Sequence, residues 1–108
     1  MTEFNTKKIQ ERIYQNKIDK GFNTTDIPKE FCYLYSEVAE AFEAFRKGES
    51  NFGEELADVA IFLLGIAEIK NIDLGSEVLR KMEIIEKRRY YRSKTGNLIK
   101  LHDKNEQL

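Results

Sequence analysis

The chain has 108 residues, room for one domain with a single modest core. Hydrophobic residues make up 41%, which is ordinary for a globular protein and excludes a disordered one. Charged residues reach 34% but cancel to a net −1, so bulk charge gives no reason to expect nucleic acid or an anionic membrane as partner.

One cysteine, Cys32, excludes an intramolecular disulfide and fits a reducing compartment. The opening Met1-Thr2-Glu3-Phe4-Asn5 has no basic-then-apolar leader pattern. The longest apolar run, Val59 to Ala67, is too short to span a bilayer. A cytoplasmic protein without membrane contact is expected.

With one proline, six glycines and little strand-like alternation, the sequence reads as all-α. The first helix is expected over Glu3 to Lys20, with Ile9, Ile13 and Ile18 as core candidates and Gly21 as its stop. Phe22 to Thr25 reads as a loop. Asp26-Ile27-Pro28 starts a second helix, which runs to about Lys47 before Gly48. Leu34, Val38, Ala41, Phe42 and Phe45 form an apolar stripe along it. A third helix is expected from Phe52 to Lys70, stopped at Asn71. Asp73 then caps a fourth, from Leu74 to about Arg92. Residues 1–92 are thus expected as one helical domain, and 93–108 as a C-terminal tail. In that tail a turn at Ser93 to Asn97 precedes Leu98-Ile99-Lys100-Leu101, which fits a strand, a helical turn or an oligomer arm.

The chemistry concentrates in acids that sit in apolar company. From Leu56 to Ala67 the third helix is apolar on almost every face, with Asp58 beside Ile61, Phe62 and Gly65. A buried carboxylate needs a cation or strong donors, so Asp58 asks for a partner. Glu55 lies one turn before it. The second helix supplies Glu37 and Glu40 at the same spacing, beside the small residues Ala41 and Ala44. A short connection makes the two helices antiparallel neighbours, so both pairs can converge on one seam. Glutamates at this spacing also occur on solvated helix faces, and it is Asp58 that favours a site. Four oxygen donors without histidine or cysteine suit Mg²⁺, with Mn²⁺ as the alternative. The sole histidine, His102, lies in the tail. A di-iron Glu-x-x-His site, a histidine zinc site and a Ser-His-Asp triad are therefore set aside, and no phosphate loop occurs.

In the fourth helix Lys81, Ile85, Arg88 and Arg92 fall on one face, with Arg89 beside it. Such a stripe suits a polyphosphate, although cations near a helix C-terminus are also favoured by the macrodipole.

Glu37-Val38-Ala39-Glu40 followed by Glu55-Leu56-Ala57-Asp58 resembles the Glu-x-x-Glu … Glu-x-x-Asp signature of the MazG-like, all-α nucleoside triphosphate pyrophosphohydrolases. The resemblance runs from about Gly21 to Arg92 and includes Lys81 to Arg88, where such proteins often show Lys-x-x-x-Asn-x-x-Arg. It implies a four- to five-helix bundle that assembles as a homodimer or homotetramer. It also implies Mg²⁺ at Glu37, Glu40, Glu55 and Asp58, and cleavage of a nucleoside triphosphate to monophosphate and pyrophosphate. That reaction serves nucleotide-pool housecleaning. Lys81 and Arg88, with Arg92 on the same stripe, would contact phosphates. The sequence departs from the pattern at Ile85, which stands where the family has asparagine and offers no hydrogen bond. That departure favours an alternative, a non-catalytic helical oligomerisation or regulatory module that retains a metal site. Glu54 is a further candidate for the general base, and Phe22, Asn23 and Tyr33 for contact with a nucleobase.

Overall fold

The computed structural model describes residues 4–101. Four helices, α1 (Thr6–Lys20), α2 (Ile27–Lys47), α3 (Phe52–Ile69) and α4 (Leu74–Glu86), precede a hairpin of β1 (Tyr90–Arg92) and β2 (Leu98–Lys100). The chain divides into two compact units, one ending at Gly75 and the other beginning at Ser76. His102 lies outside the described residues, as does the tail beyond Leu101.

In the first unit the helix ends follow local chemistry. α1 starts at Thr6 with Asn5 as its cap, the Asn5 Oδ1 accepting from Lys8 N at 3.0 Å, and the expected start at Glu3 lies outside the described residues. Asp26 caps α2 in the same way, accepting from Lys29 N at 3.1 Å, with Pro28 in the first turn. Gly21 and Gly48 end the two helices in the left-handed region, at φ 72° and 67°. Asn71 takes that role after α3 at φ 58°, a conformation asparagine tolerates better than most residues.

α3 is the centre of this unit and packs against both α1 and α2. The buried apolar residues are few: Leu34, Ala41 and Ala44 on α2, Leu64 and Ala67 on α3. Two expectations fail here. Ile18 is 51% exposed, and the large members of the α2 stripe, Val38, Phe42 and Phe45, are 48–63% exposed. Small residues at the seam let the backbones approach, which leaves the larger ones of the same stripe along its edge. Asp58 is likewise exposed, as are Leu56, Ile61 and Leu63, so α3 is not the all-round buried helix its composition suggests. The observed contacts of α1 fall on the C-terminal half of α3, where Gly65 faces Ile13 and Lys17, and Glu68 meets Lys7. A Cβ at Gly65 would stand 3.3 Å from Ile13 Cγ2.

Polar side chains supply much of the remaining interior. Gln10 is fully buried, and its Nε2 donates to Glu68 Oε1 (3.0 Å) and Ile72 O (2.8 Å) while its Oε1 accepts from Leu74 N (2.9 Å). It therefore ties α1 to the α3–α4 connection. Lys17 and Glu30 form a buried ion pair between α1 and α2. Asn23 completes it, donating to Glu30 Oε2 at 3.0 Å and to Asp26 O at 2.8 Å. Lys17 Nζ also lies 5.7 Å from the Phe62 ring centroid, a cation–π distance.

In the second unit the expected helix to Arg92 is corrected. α4 stops at Glu86, and Lys87 and Arg88 bond back to Ile84 O and Ile85 O in a tightened last turn. Tyr90, Tyr91 and Arg92 then pair antiparallel with Lys100, Ile99 and Leu98. Aromatic Tyr90-Tyr91 favours a strand once a partner is at hand, and the turn Ser93 to Asn97 delivers it. That turn closes through Ser93 N to Asn97 O at 2.7 Å, with Gly96 at φ 91°. Among the described residues no helix is long and apolar enough to cross a membrane.

Candidate metal centre

Glu37 and Glu40 project from one side of α2, Glu55 and Asp58 from one side of α3, by the i, i+3 rule. The linker of residues 48–51 folds α3 back along α2. Two aromatic pairs set the antiparallel register: Phe45 meets Phe52 at 5.6 Å near the linker, and Tyr33 meets Phe62 at 6.0 Å further along. The four acids fall between these pairs.

Carboxylate oxygens of Glu37, Glu55 and Asp58 lie within 4.8 Å of one another. An octahedral Mg²⁺ with ligands at about 2.1 Å holds opposite oxygens about 4.2 Å apart, so the cluster has the right dimension. Glu37 Oε2 and Glu55 Oε2 are both out of solvent with no hydrogen-bond partner. Glu55 Oε1 accepts weakly from Asn51 Nδ2 at 3.3 Å. Desolvated carboxylate oxygens without donors are what a hard divalent cation satisfies, so the residues present fit the ion.

Electrostatics agree. Glu37 is raised above the ordinary value of 4.5 by burial first, then by the Glu40 charge and a hydrogen bond shared with Glu40, then by Asp58 and Glu55. Glu55 is raised by burial and by Asp58, Glu40, Glu49 and Glu54. The neighbouring charges resist ionisation of Glu37 and Glu55, and a cation would relieve that repulsion.

Glu40 is not one of the three clustered carboxylates. It borders an adjoining cavity of about 320 Å³, shared with Glu43, Glu49 and Glu55. Glu43 is held by Arg46, whose Nη2 donates to Glu43 Oε2 at 2.8 Å. Glu49, in the linker, was not among the sequence candidates; its only sequence signal is a carboxylate close before Glu55. Asn23 is committed to the Lys17–Glu30 network, which its place in a loop did not announce. Phe22 is 56% and Tyr33 41% exposed.

Lys81, Arg88 and Arg92 all belong to the second unit, but they do not form the expected stripe. Lys81 is on α4, Arg88 follows the helix end, and Arg92 is in β1 with its Nη1 donating to Gly96 O at 2.7 Å. The loss of helical geometry at Glu86 breaks their common face.

No protein-family model matches the chain, and no curated protein matches it in sequence. A solved structure does: the cyanophage S-2L MazG-like pyrophosphohydrolase bound to dGDP and three catalytic Mn²⁺ ions per active site. It aligns with a TM-score of 0.70 at 18% identity, over 92% of this chain and 99% of that one. The chain described here therefore adopts the helical fold of a MazG-like pyrophosphohydrolase.

Proposed function

We propose that the protein hydrolyses a nucleoside triphosphate to the monophosphate and pyrophosphate, with Glu37, Glu40, Glu55 and Asp58 holding divalent cations. The observation that carries this reading is the pair of buried, unpartnered oxygens on Glu37 and Glu55, set against Asp58 on a shared seam. The shared fold supports it, since the S-2L protein is described with a nucleotide and Mn²⁺ at its active site.

When bound, Mg²⁺ or Mn²⁺ neutralises phosphate charge and acidifies water. The protein's own residues do the rest. Glu37, Glu55 and Asp58, whose oxygens cluster across two helices, would hold the cation, with Glu40 as a further ligand beside the 320 Å³ cavity. One of these acids, or Glu54 beside Glu55, accepts the proton of the attacking water. The exposed apolar edge of α2 is covered by a second copy of the chain, giving a homodimer or a pair of dimers. Pool housecleaning is the corresponding role.

The test is a panel of ribo- and deoxyribonucleoside triphosphates incubated with Mg²⁺, Mn²⁺ or EDTA, with products separated. Monophosphate and pyrophosphate are expected, and neither with EDTA nor with Asp58→Asn. Diphosphate and inorganic phosphate would refute the cut site. A second reading, a non-catalytic module that keeps the metal, is favoured by Ile85, an apolar residue 39% exposed on α4. It predicts metal binding without turnover.

A further inference from the structure

The net charge of −1 conceals a division between the two units. Residues 1–75 carry nine Lys and Arg against fourteen Asp and Glu, a net −5, whereas residues 76–108 carry nine against five, a net +4. Among the described residues of the second unit, Arg80 is the only cation with a carboxylate partner, Glu77 at 2.7 Å.

The hairpin sets aromatic rings among these cations. In the antiparallel register Tyr90 lies directly across from Lys100, and Arg92 and Leu98 share their face. Tyr91 and Ile99 occupy the other face, together with Arg89, whose carbonyl accepts from Leu101 N at 2.9 Å. Tyr90 is 50% exposed and Tyr91 36%. The loop is braced by Arg92 on Gly96 O and by Ser93 Oγ, which accepts from Asn97 N at 3.1 Å. The platform is therefore formed before any ligand arrives.

We propose that this hairpin is a binding surface for single-stranded nucleic acid, with Tyr90 stacking on a base, and Lys100 across from it and Lys94 in the turn neutralising phosphates. Exposed aromatic rings beside unpaired cations fit a strand whose bases are open to stacking; a duplex hides them. A membrane interface also takes tyrosine rings, but Tyr90 and Tyr91 lie on opposite faces of the hairpin and offer a bilayer no common aromatic face. The surface lies wholly in the second unit and does not depend on the metal centre or on triphosphate hydrolysis.

The test uses the full chain in EDTA and follows the anisotropy of fluorescein-labelled oligo-dT and oligo-U of about 20 nucleotides, a length that covers the site size of such surfaces. Both are expected to bind, more tightly than a duplex of equal length, with affinity falling as salt rises by a slope of about 0.7 per phosphate contact. Tyr90→Ala should weaken binding roughly tenfold, while Tyr90→Phe, which keeps the ring and the fold, should not. Lys94→Ala with Lys100→Ala should lower the salt slope by about 1.4. Asp58→Asn should bind like the parent protein, whatever its hydrolytic activity. Absence of binding at 50 mM salt would overturn the proposal. So would equal affinity for duplex with no effect of Tyr90→Ala, or preference for anionic vesicles. Displacement of the oligonucleotide by micromolar free triphosphate would overturn it too, by making the hairpin part of the substrate site.

Discussion

Glu37 on α2 and Glu55 on α3 each keep one carboxylate oxygen away from water and from any donor, and with Asp58 their oxygens come within 4.8 Å. The arrangement is unfavourable for the metal-free protein and favourable for a cation. Four measurable consequences follow from it and from the packing around it.

Metal should stabilise the fold. A ligand at 100 times its Kd adds about 2.7 kcal/mol. For a domain of this size that corresponds to a Tm increase of about 10–20 °C. Thermal unfolding in Mn²⁺ and in EDTA measures it, and Glu55→Gln should remove most of the difference. Superimposable curves would mean that the cluster does not hold the ion.

The metal-free protein should show a specific pH dependence. Glu37 and Glu55 have raised folded-state values, so the protonated forms suit the fold. Their stabilising contribution is full below about pH 4.5, the ordinary value, and is lost as pH rises through the raised value. In EDTA, Glu37→Gln should thus raise Tm by a few degrees at pH 7 and by little at pH 4. The sign reverses in Mn²⁺, where the parent gains from a ligand that the variant binds poorly. A variant less stable than the parent in EDTA at pH 7 would contradict the repulsion.

The buried Lys17–Glu30 pair should be costly to break and cheaper to replace. Glu30→Gln leaves Lys17 charged at a site where its side chain is 10% exposed, a loss of about 3–5 kcal/mol. Lys17→Met combined with Glu30→Leu removes both charges and should be the more stable of the two variants. Urea denaturation decides, and equal midpoints would show that water reaches the pair.

Association should depend on the open edge of α2, where Tyr35, Val38 and Phe42 are 67%, 48% and 59% exposed. Phe42→Asp should convert a dimer to a monomer in sedimentation equilibrium while the helical circular dichroism persists. A parent protein that sediments as a monomer would remove the second copy from the proposal.

The helices of the first unit were legible in the sequence because their ends are local events. Asp26 with Pro28, Gly21, Gly48 and Asn71 act through their own backbone and their nearest turn, and the observed bounds follow them. The two carboxylate pairs were legible for the same reason, since i, i+3 spacing survives in any helix. What only the tertiary structure decided is which faces are covered and what pairs across the chain. Asp58, surrounded by apolar residues in sequence, is open in the fold because the observed α1 contacts reach only the far half of α3. Glu40, equal to Glu37 by spacing, borders a cavity instead of joining the three-oxygen cluster. Arg92 left its helical stripe because strand pairing with Leu98 outweighs helix propagation past Glu86, a comparison between distant segments. Lys17, Glu30 and Gln10 carry no sequence mark of burial, because a polar side chain enters a core only when its partners are delivered from other helices.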